Sequence, residues 1–95
     1  MGSKEVAKYA YNKGYFIDED GCLISFTGTK LNPKINNNGY YETNIRIDGK
    51  SQRLQCHTLT AYQKFGDKIF ESECVRHLDG NKLNNKKENI EIGSR

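Results

Sequence analysis

The clearest pattern of hydrophobic and polar residues in the chain is the alternation from Tyr41 to Ile47. The odd positions carry tyrosine, threonine and isoleucine, and the even positions carry Glu42, Asn44 and Arg46. A period of two is typical of a strand with one buried face. Asp48-Gly49 follows, a pair that favours a tight turn, so 51–56 is predicted to be the second strand of a hairpin.

Shorter strands are predicted on both sides of this hairpin. Before it, 15–17 and 22–26 flank an Asp-Gly turn, 30–34 is extended around Pro33, and 36–39 is a turn rich in Asn and Gly. After it, 75–78 and 89–92 are strands joined by an Asp-Gly turn and a polar loop, 81–88. These segments predict a meander followed by a separate two-strand unit.

A helical period appears between the hairpin and the last two strands. Leu59, Tyr62 and Phe65 recur on one face of a helix over 57–65, and Gly66 favours its end. The segment 4–13 is predicted to be a short helix or an extended arm. The fold class is therefore α+β in one domain, 1–95, with an arm or helix (1–13), a strand-rich segment (14–56) and a C-terminal unit (57–95).

Composition narrows the classes of protein that fit. Ninety-five residues make one small domain, and six Tyr with four Phe supply enough apolar surface to fold. No apolar stretch is long enough to span a membrane, and no signal peptide is expected, so the chain is assigned to the cytoplasm. The net charge of +3 permits a polyanionic partner without requiring one.

The three cysteines lack the spacing of a disulfide framework or of a cysteine-rich zinc site. We expect free thiols in a reducing compartment. A zinc site made by Cys56, His57, Cys74 and His77 is an alternative, although two adjacent ligands are poorly spaced for one ion.

The stretch VRHLDGNKLNNKKENIEIGSR carries the candidate chemistry. A strand delivers His77, and Asn85 and Asn89 return at +8 and +12. Asparagine amides bridge backbone groups in loops, and a neutral imidazole held by them can take a proton from water, as hydrolysis of a phosphodiester requires. The alternative is that the histidine is structural and that the Asn and Lys residues are solvated turn residues.

This stretch resembles the ββα-metal motif of HNH endonucleases, especially the small phage-type homing endonucleases. The quoted residues are CVRHLDGNKLNN and ENIEIGS, and HTLTAYQKFG (57–66) resembles the helix that precedes the motif. GYFIDEDGCLISFTGTKLNPKINNNGYYETNIRIDGK (14–50) resembles the strand-rich DNA-binding segment of those proteins. The resemblance covers about Gly14 to Ser94, in the same order. It implies a phage or mobile-element gene expressed in a bacterial cell.

The resemblance implies roles for individual residues. His77 corresponds to the general base, and Asn89 to the asparagine that orients the loop and the base. Asp79, Asn81 and Asn85 correspond to positions that stabilise the loop, and His57 to a structural residue at the start of a helix. The cofactor implied for a nuclease is Mg²⁺ or another divalent cation; without catalysis no cofactor is expected.

Two features depart from the family pattern. Arg76 stands where many relatives have a metal-binding aspartate, and a guanidinium offers no lone pair to a cation. The chain also ends about where the metal-binding helix is expected, so the resemblance implies a ββ unit that lacks this helix. The metal ligands are therefore unknown. Asp79 is a candidate, although a turn-capping role fits it better.

Basic and amide residues form a predicted DNA interface. A hairpin carrying Arg46, Lys50 and Arg53 fits the major groove, where Asn44 and Gln55 could contact base edges. The remaining cations are expected to contact phosphates: Lys30, Lys34, Arg76, Lys82, Lys86 and Lys87. The alternative is that these cations are an ordinary solvated surface.

Three functions follow from the sequence. The first is a DNA endonuclease or nickase, the second a DNA-binding regulator that has lost catalysis, and the third a phage-encoded inhibitor that binds a protein partner. DNA is the favoured partner. The oligomeric state and the target sequence are left open.

Overall fold

Two α-helices, two short 3-10 helices and seven strands make up the part of the chain that the structure, a computed structural model, describes: residues 2–93. The helices are α1 (Ser3–Lys13) and α2 (Cys56–Phe65), with 3-10 turns at Gly66–Glu71 and Lys87–Asn89. The strands are β1 (Phe16–Ile17), β2 (Leu23–Ile24), β3 (Lys34–Ile35), β4 (Tyr41–Ile47), β5 (Lys50–Gln55), β6 (Cys74–His77) and β7 (Ile90–Gly93).

The strands form three small antiparallel sheets, β1-β2, β3-β4-β5 and β6-β7. The predicted central hairpin is confirmed, with Ile47 opposite Lys50. Asp48 and Gly49 both have positive φ, 50° and 80°, as a tight turn that matches the twist of the strands requires. The predicted α+β class is confirmed as well.

The N-terminal segment is a helix that belongs to the core. Val6, Ala7 and Ala10 are fully buried, and α1 packs on α2 and β5. Gly14 ends the helix at φ 117°, and its N–H donates to Ala10 O at 3.1 Å. Of the two predicted alternatives, arm or helix, the structure has the helix because its three small apolar residues fit against α2.

Helix α2 lies at the junction of the two apolar clusters. Leu59 belongs to the larger cluster, with Val6, Leu23 and Leu54, whereas Ala61 belongs to a smaller one with Ile69 and Ile90. All of 56–61 is buried. The helix therefore joins the β6-β7 unit to the rest of the domain.

Two predicted segments differ in detail from the structure. The expected connection from 67 to 74 contains a 3-10 helix, which buries Ile69. The strand expected over 22–26 is shorter, because Ser25 Oγ accepts the N–H groups of Thr27 and Thr29 and turns the chain. Within residues 2–93, no helix has the length and apolar character needed to cross a membrane.

Gln63 on α2 fixes the β1-β2 hairpin to the helix. Its Oε1 accepts the N–H of Ile17 at 2.8 Å, and its Nε2 donates to the carbonyl of Ile17 at 2.8 Å. Gln63→Ala leaves both backbone groups of a buried residue unpaired, so we expect the free energy of unfolding to fall by about 2 kcal/mol. Urea denaturation measures this loss.

The matched control is Asn12→Ala, which removes an exposed amide from α1. Its expected effect is within about 0.5 kcal/mol. Equal losses in the two variants would contradict the role given to Gln63.

Candidate active site

His77 ends strand β6, opposite Ile90 of β7. Its carbonyl accepts the N–H of Gly80 at 3.0 Å, which closes the predicted Asp-Gly turn, and Leu78 N–H donates to Asn89 O at 2.8 Å. The side chain is half-buried. The sheet thus places the imidazole at the edge of the polar loop between the strands.

Asn89 and Asp79 organise this loop. Asn89 is 7% exposed; its Oδ1 accepts the N–H of Asp79 at 3.0 Å, and its Nδ2 donates to Asp79 Oδ1 and to Asn84 O, both at 2.9 Å. Asp79 also accepts from the Asn81 N–H at 2.8 Å and from Asn84 Nδ2 at 2.9 Å. The loop therefore has a polar core in place of an apolar one.

The hydrogen bonds also affect the charge of the loop. Those from Asn84 and from the Asn81 backbone are the main reason that the pKa of Asp79 lies below its ordinary value. Asn89 and the nearby His77 act in the same direction. Asp79 is thus held as a carboxylate within the loop that follows His77.

Asn85 connects the loop to the imidazole. It is 2% exposed, and its Oδ1 lies 3.1 Å from His77 Nε2. Its carbonyl accepts the hydroxyl of Thr60 on α2 at 2.9 Å. Since an amide oxygen only accepts, this arrangement assigns the ring proton to Nε2 and leaves the lone pair on Nδ1. A neutral imidazole in this tautomer can take a proton through Nδ1.

Two further rings lie beside His77. The centroid of Tyr40 is 4.5 Å from that of His57 and 5.7 Å from that of His77, and the two imidazoles are 5.5 Å apart. His57 is 9% exposed, and no hydrogen-bond partner of its Nδ1 is found among residues 2–93. Burial, and then the proximity of His77, lowers the pKa of His57 to about 4. His57 is therefore a neutral packing residue near neutral pH.

Sequence reasoning found His77, Asn85 and Asn89 but missed Tyr40 and Thr60. Both contacts join segments that are distant in sequence, so no local spacing could indicate them. The only available signal was the position of Tyr40 next to the Asn-Gly turn, where an aromatic residue precedes a strand.

The site does not fit a complete metal ligand set. Over residues 2–93, no group of three His, Cys, Asp or Glu side chains is close enough to hold an ion. Arg76 is exposed on β6, and both oxygens of Asp79 accept hydrogen bonds within the loop. The alternative zinc site is not formed either, and burial raises the pKa of the Cys56 thiol to about 12, which disfavours the thiolate that zinc binds.

Both residues predicted to contact base edges, Asn44 and Gln55, lie on one face of the β3-β4-β5 sheet. Cross-strand partners point to the same side, and the register pairs Lys34 with Glu42, Glu42 with Gln55, and Asn44 with Arg53. These five residues line a concave cavity of about 580 Å³. Arg53 is 80% exposed, with its Nε 3.7 Å from a Glu42 carboxylate oxygen.

The hairpin tip differs from the prediction in one respect. Arg46 pairs with Ser51 and lies on the polar face, but Lys50 pairs with Ile47, whose side chain is buried. Lys50 therefore belongs to the opposite side of the sheet, where the end of the strand leaves it exposed. The hairpin presents Arg46 and Arg53 together, without Lys50.

The remaining predicted cations lie outside this face. Lys82 donates to Asn38 O at 3.1 Å and lies 5.1 Å from the Tyr40 ring, so it is engaged within the protein. Lys86 and Lys87 are exposed on the loop, and Lys30 is exposed although its backbone pairs with that of Ile24.

Asn81 supports the loop, because its Oδ1 accepts the N–H of Leu83 at 3.0 Å.

No family model matches the chain, but two known proteins are similar to it in sequence and in fold. It is 32% identical over 81 residues to "Uncharacterized HNH endonuclease L245" of Acanthamoeba polyphaga mimivirus, which covers 84% of this chain and 24% of that protein. A solved structure, "DNA binding and cleavage by the HNH homing endonuclease I-HmuI", is similar with a TM-score of 0.64 and 27% identity, over 84% of this chain and 46% of that one. The chain thus spans about a quarter of the curated relative and under half of the other.

His57 predicts a loss of stability in acid. Its pKa is about 4 in the folded protein and about 6.5 when unfolded, so the unfolded state binds more protons between these values. The contribution of neutral His57 to the free energy of unfolding is complete above about pH 6.5. It decreases as the pH is lowered, and at pH 4 about 3 kcal/mol has been lost. Urea denaturation over this range measures it, with His57→Gln as the variant that lacks the titration. A parallel pH dependence in both proteins would contradict the assignment.

Proposed function

Because the chain belongs to the HNH endonuclease family, we propose that it binds DNA and supplies His77 as the base for phosphodiester hydrolysis. The observation that carries this proposal is the contact of 3.1 Å between His77 Nε2 and the buried Asn85 amide. It leaves the basic lone pair on Nδ1, the atom that would take the proton of the attacking water. The carboxylate of Asp79 would stabilise the imidazolium that forms.

The proposed DNA surface is the polar face of the β3-β4-β5 sheet. Arg46 and Arg53 supply positive charge, and Asn44 and Gln55 supply amides that can donate to and accept from base edges. A two-stranded ribbon has the dimensions of the major groove. Glu42 lies on the same face and would accept a hydrogen bond from a base amino group.

HNH endonucleases generally use a divalent metal ion, which stabilises the charge on the scissile phosphate. Residues 2–93 contain no group of three His, Cys, Asp or Glu side chains that could hold an ion, so we propose His77 as the base and name no metal ligand. Mg²⁺ and Mn²⁺ are the ions to supply in an activity assay.

Arg76 favours a second function, DNA binding without cleavage. Its side chain is exposed on β6, next to His77 in sequence. Guanidinium groups bind phosphate oxygens in pairs but repel metal ions. In this second function the ββ unit would hold the DNA backbone instead of cutting it. No feature of the described residues specifically favours an inhibitor of a protein partner.

DNA binding predicts a strong dependence on salt. We expect the affinity for a duplex to fall at least about tenfold between 50 and 200 mM salt, because phosphate contacts release counterions. Arg53→Ala should weaken binding and reduce the salt slope by about one. The control is Lys68→Ala, an exposed lysine on the 3-10 helix outside this face. Fluorescence anisotropy measures both quantities, and absence of binding at 50 mM salt would refute the proposed surface.

Cleavage is tested on supercoiled plasmid with Mg²⁺ or Mn²⁺. If the chain nicks DNA, His77→Ala should lower the rate by about 10²- to 10⁴-fold, because a general base contributes that much. Lys68→Ala again serves as the control, and EDTA tests the need for the ion. Nicking that persists in His77→Ala would contradict the base assignment. If the unmodified protein binds DNA but does not nick it, the second function, DNA binding without cleavage, is supported.

A further inference from the structure

Tyr40 places an aromatic ring against both histidines of the protein. It is the residue between the Asn-Gly turn at 36–39 and strand β4, whereas His57 starts α2 and His77 ends β6. The planes of Tyr40 and His57 are inclined by 33°, and those of Tyr40 and His77 by 31°. Three segments distant in sequence thus meet through these three rings.

The turn that carries Tyr40 is held by hydrogen bonds of its own. Asn36 Oδ1 accepts the N–H groups of Asn38 at 2.9 Å and of Tyr40 at 3.0 Å, and Asn36 N–H donates to Tyr40 O at 2.8 Å. These are the hydrogen bonds by which an asparagine fixes a turn. The backbone of Tyr40 is therefore held independently of its ring contacts.

Lys82 joins this turn to the loop beside His77. Its ammonium group donates to Asn38 O at 3.1 Å and lies 5.1 Å from the Tyr40 ring, within the range of a cation–π contact. The side chain of Lys82 also passes beside Gly39, where an added Cβ would lie 3.5 Å from Lys82 Cδ. The loop and the turn are consequently one packed unit, with the Tyr40 ring directed towards the histidines.

These contacts limit the orientation of the His77 ring. Asn85 fixes one edge through Nε2, but a single hydrogen bond still allows the imidazole to tilt or to flip about its χ2 angle. The ring centroids of Tyr40 and His57 lie 5.7 and 5.5 Å from that of His77, so both rings pack beside the imidazole and oppose such a motion. A flipped ring would put Cε1–H where Nε2 lies and Nδ1 where Cδ2 lies, so the hydrogen bond that holds the proton on Nε2 would be lost.

We propose that Tyr40 is a positioning residue for His77, whose ring keeps the imidazole in the orientation that binds Asn85 through Nε2 and leaves Nδ1 as the base. The inference rests on the proposed role of His77, but its test requires neither DNA nor activity. Asn36 and Asn38 of the same turn line the cavity on the polar sheet face. Tyr40 therefore also connects the proposed DNA surface to the base.

The test is the tautomer of His77, read from long-range ¹H–¹⁵N correlations of the two imidazoles at a pH where their ¹⁵N chemical shifts show both rings to be neutral. His57→Gln identifies which signals belong to His77. In the unmodified protein we expect the Nε2–H form to dominate. In Tyr40→Leu the ratio of Nε2–H to Nδ1–H should fall by about 3- to 10-fold, the equivalent of one lost aromatic contact.

Tyr40→Phe keeps the ring and should retain the original ratio. The matched control is Tyr11→Leu, which removes a tyrosine that packs on Tyr62 instead. If Tyr40→Leu loses its fold by circular dichroism, Tyr40→Met is measured under the same criterion. An unchanged tautomer ratio in a folded Tyr40 variant without the ring overturns the inference. Failure of the proposed function would appear separately, as absent DNA binding.

Discussion

The amide of Asn89 is the constraint on which the candidate site depends. The loop between β6 and β7 has few apolar anchors, and one nearly buried side chain joins the Asp79 backbone, the Asp79 carboxylate and the Asn84 carbonyl. A buried amide left without partners is costly, so this arrangement favours a single loop conformation. That conformation brings Asn85 to His77, and Thr60 then ties it to α2. The position of the amide that contacts the imidazole is thus a consequence of polar packing within the loop.

The hairpin and the polar loop could be predicted from the sequence, because both depend on residues that are close together in the chain. The hairpin follows from the alternation in β4 and from Asp48-Gly49, and the loop residues follow from the ability of Asn and Asp to bind nearby backbone groups. The contacts of Tyr40 and Thr60 were not predictable, because they depend on how α2 packs between two clusters. The side of the sheet on which Lys50 lies was missed because strand register sets it.

The fold divides the proposed work between two surfaces. A polar sheet face with Arg46 and Arg53 would recognise DNA, and the β6-β7 unit would act on the backbone. The turn at 36–40 lies between them and contributes to both, through cavity-lining asparagines and through Tyr40. Arg76 would bind phosphate in the proposed complex, and residues 2–93 contain no group of three His, Cys, Asp or Glu side chains that could hold a metal ion. The proposed role of His77 does not require such a group within these residues.

Amide hydrogen exchange in Asn89→Ala tests whether Asn89 organises the loop that holds His77. We expect the N–H of Asp79, which donates to Asn89 Oδ1 at 3.0 Å, to be protected in the unmodified protein. In the variant it should exchange at least about tenfold faster, a change of roughly 1.4 kcal/mol, while amides of α1 keep their protection. Equal exchange of the Asp79 amide in both proteins would show that Asn89 does not organise the loop that holds His77.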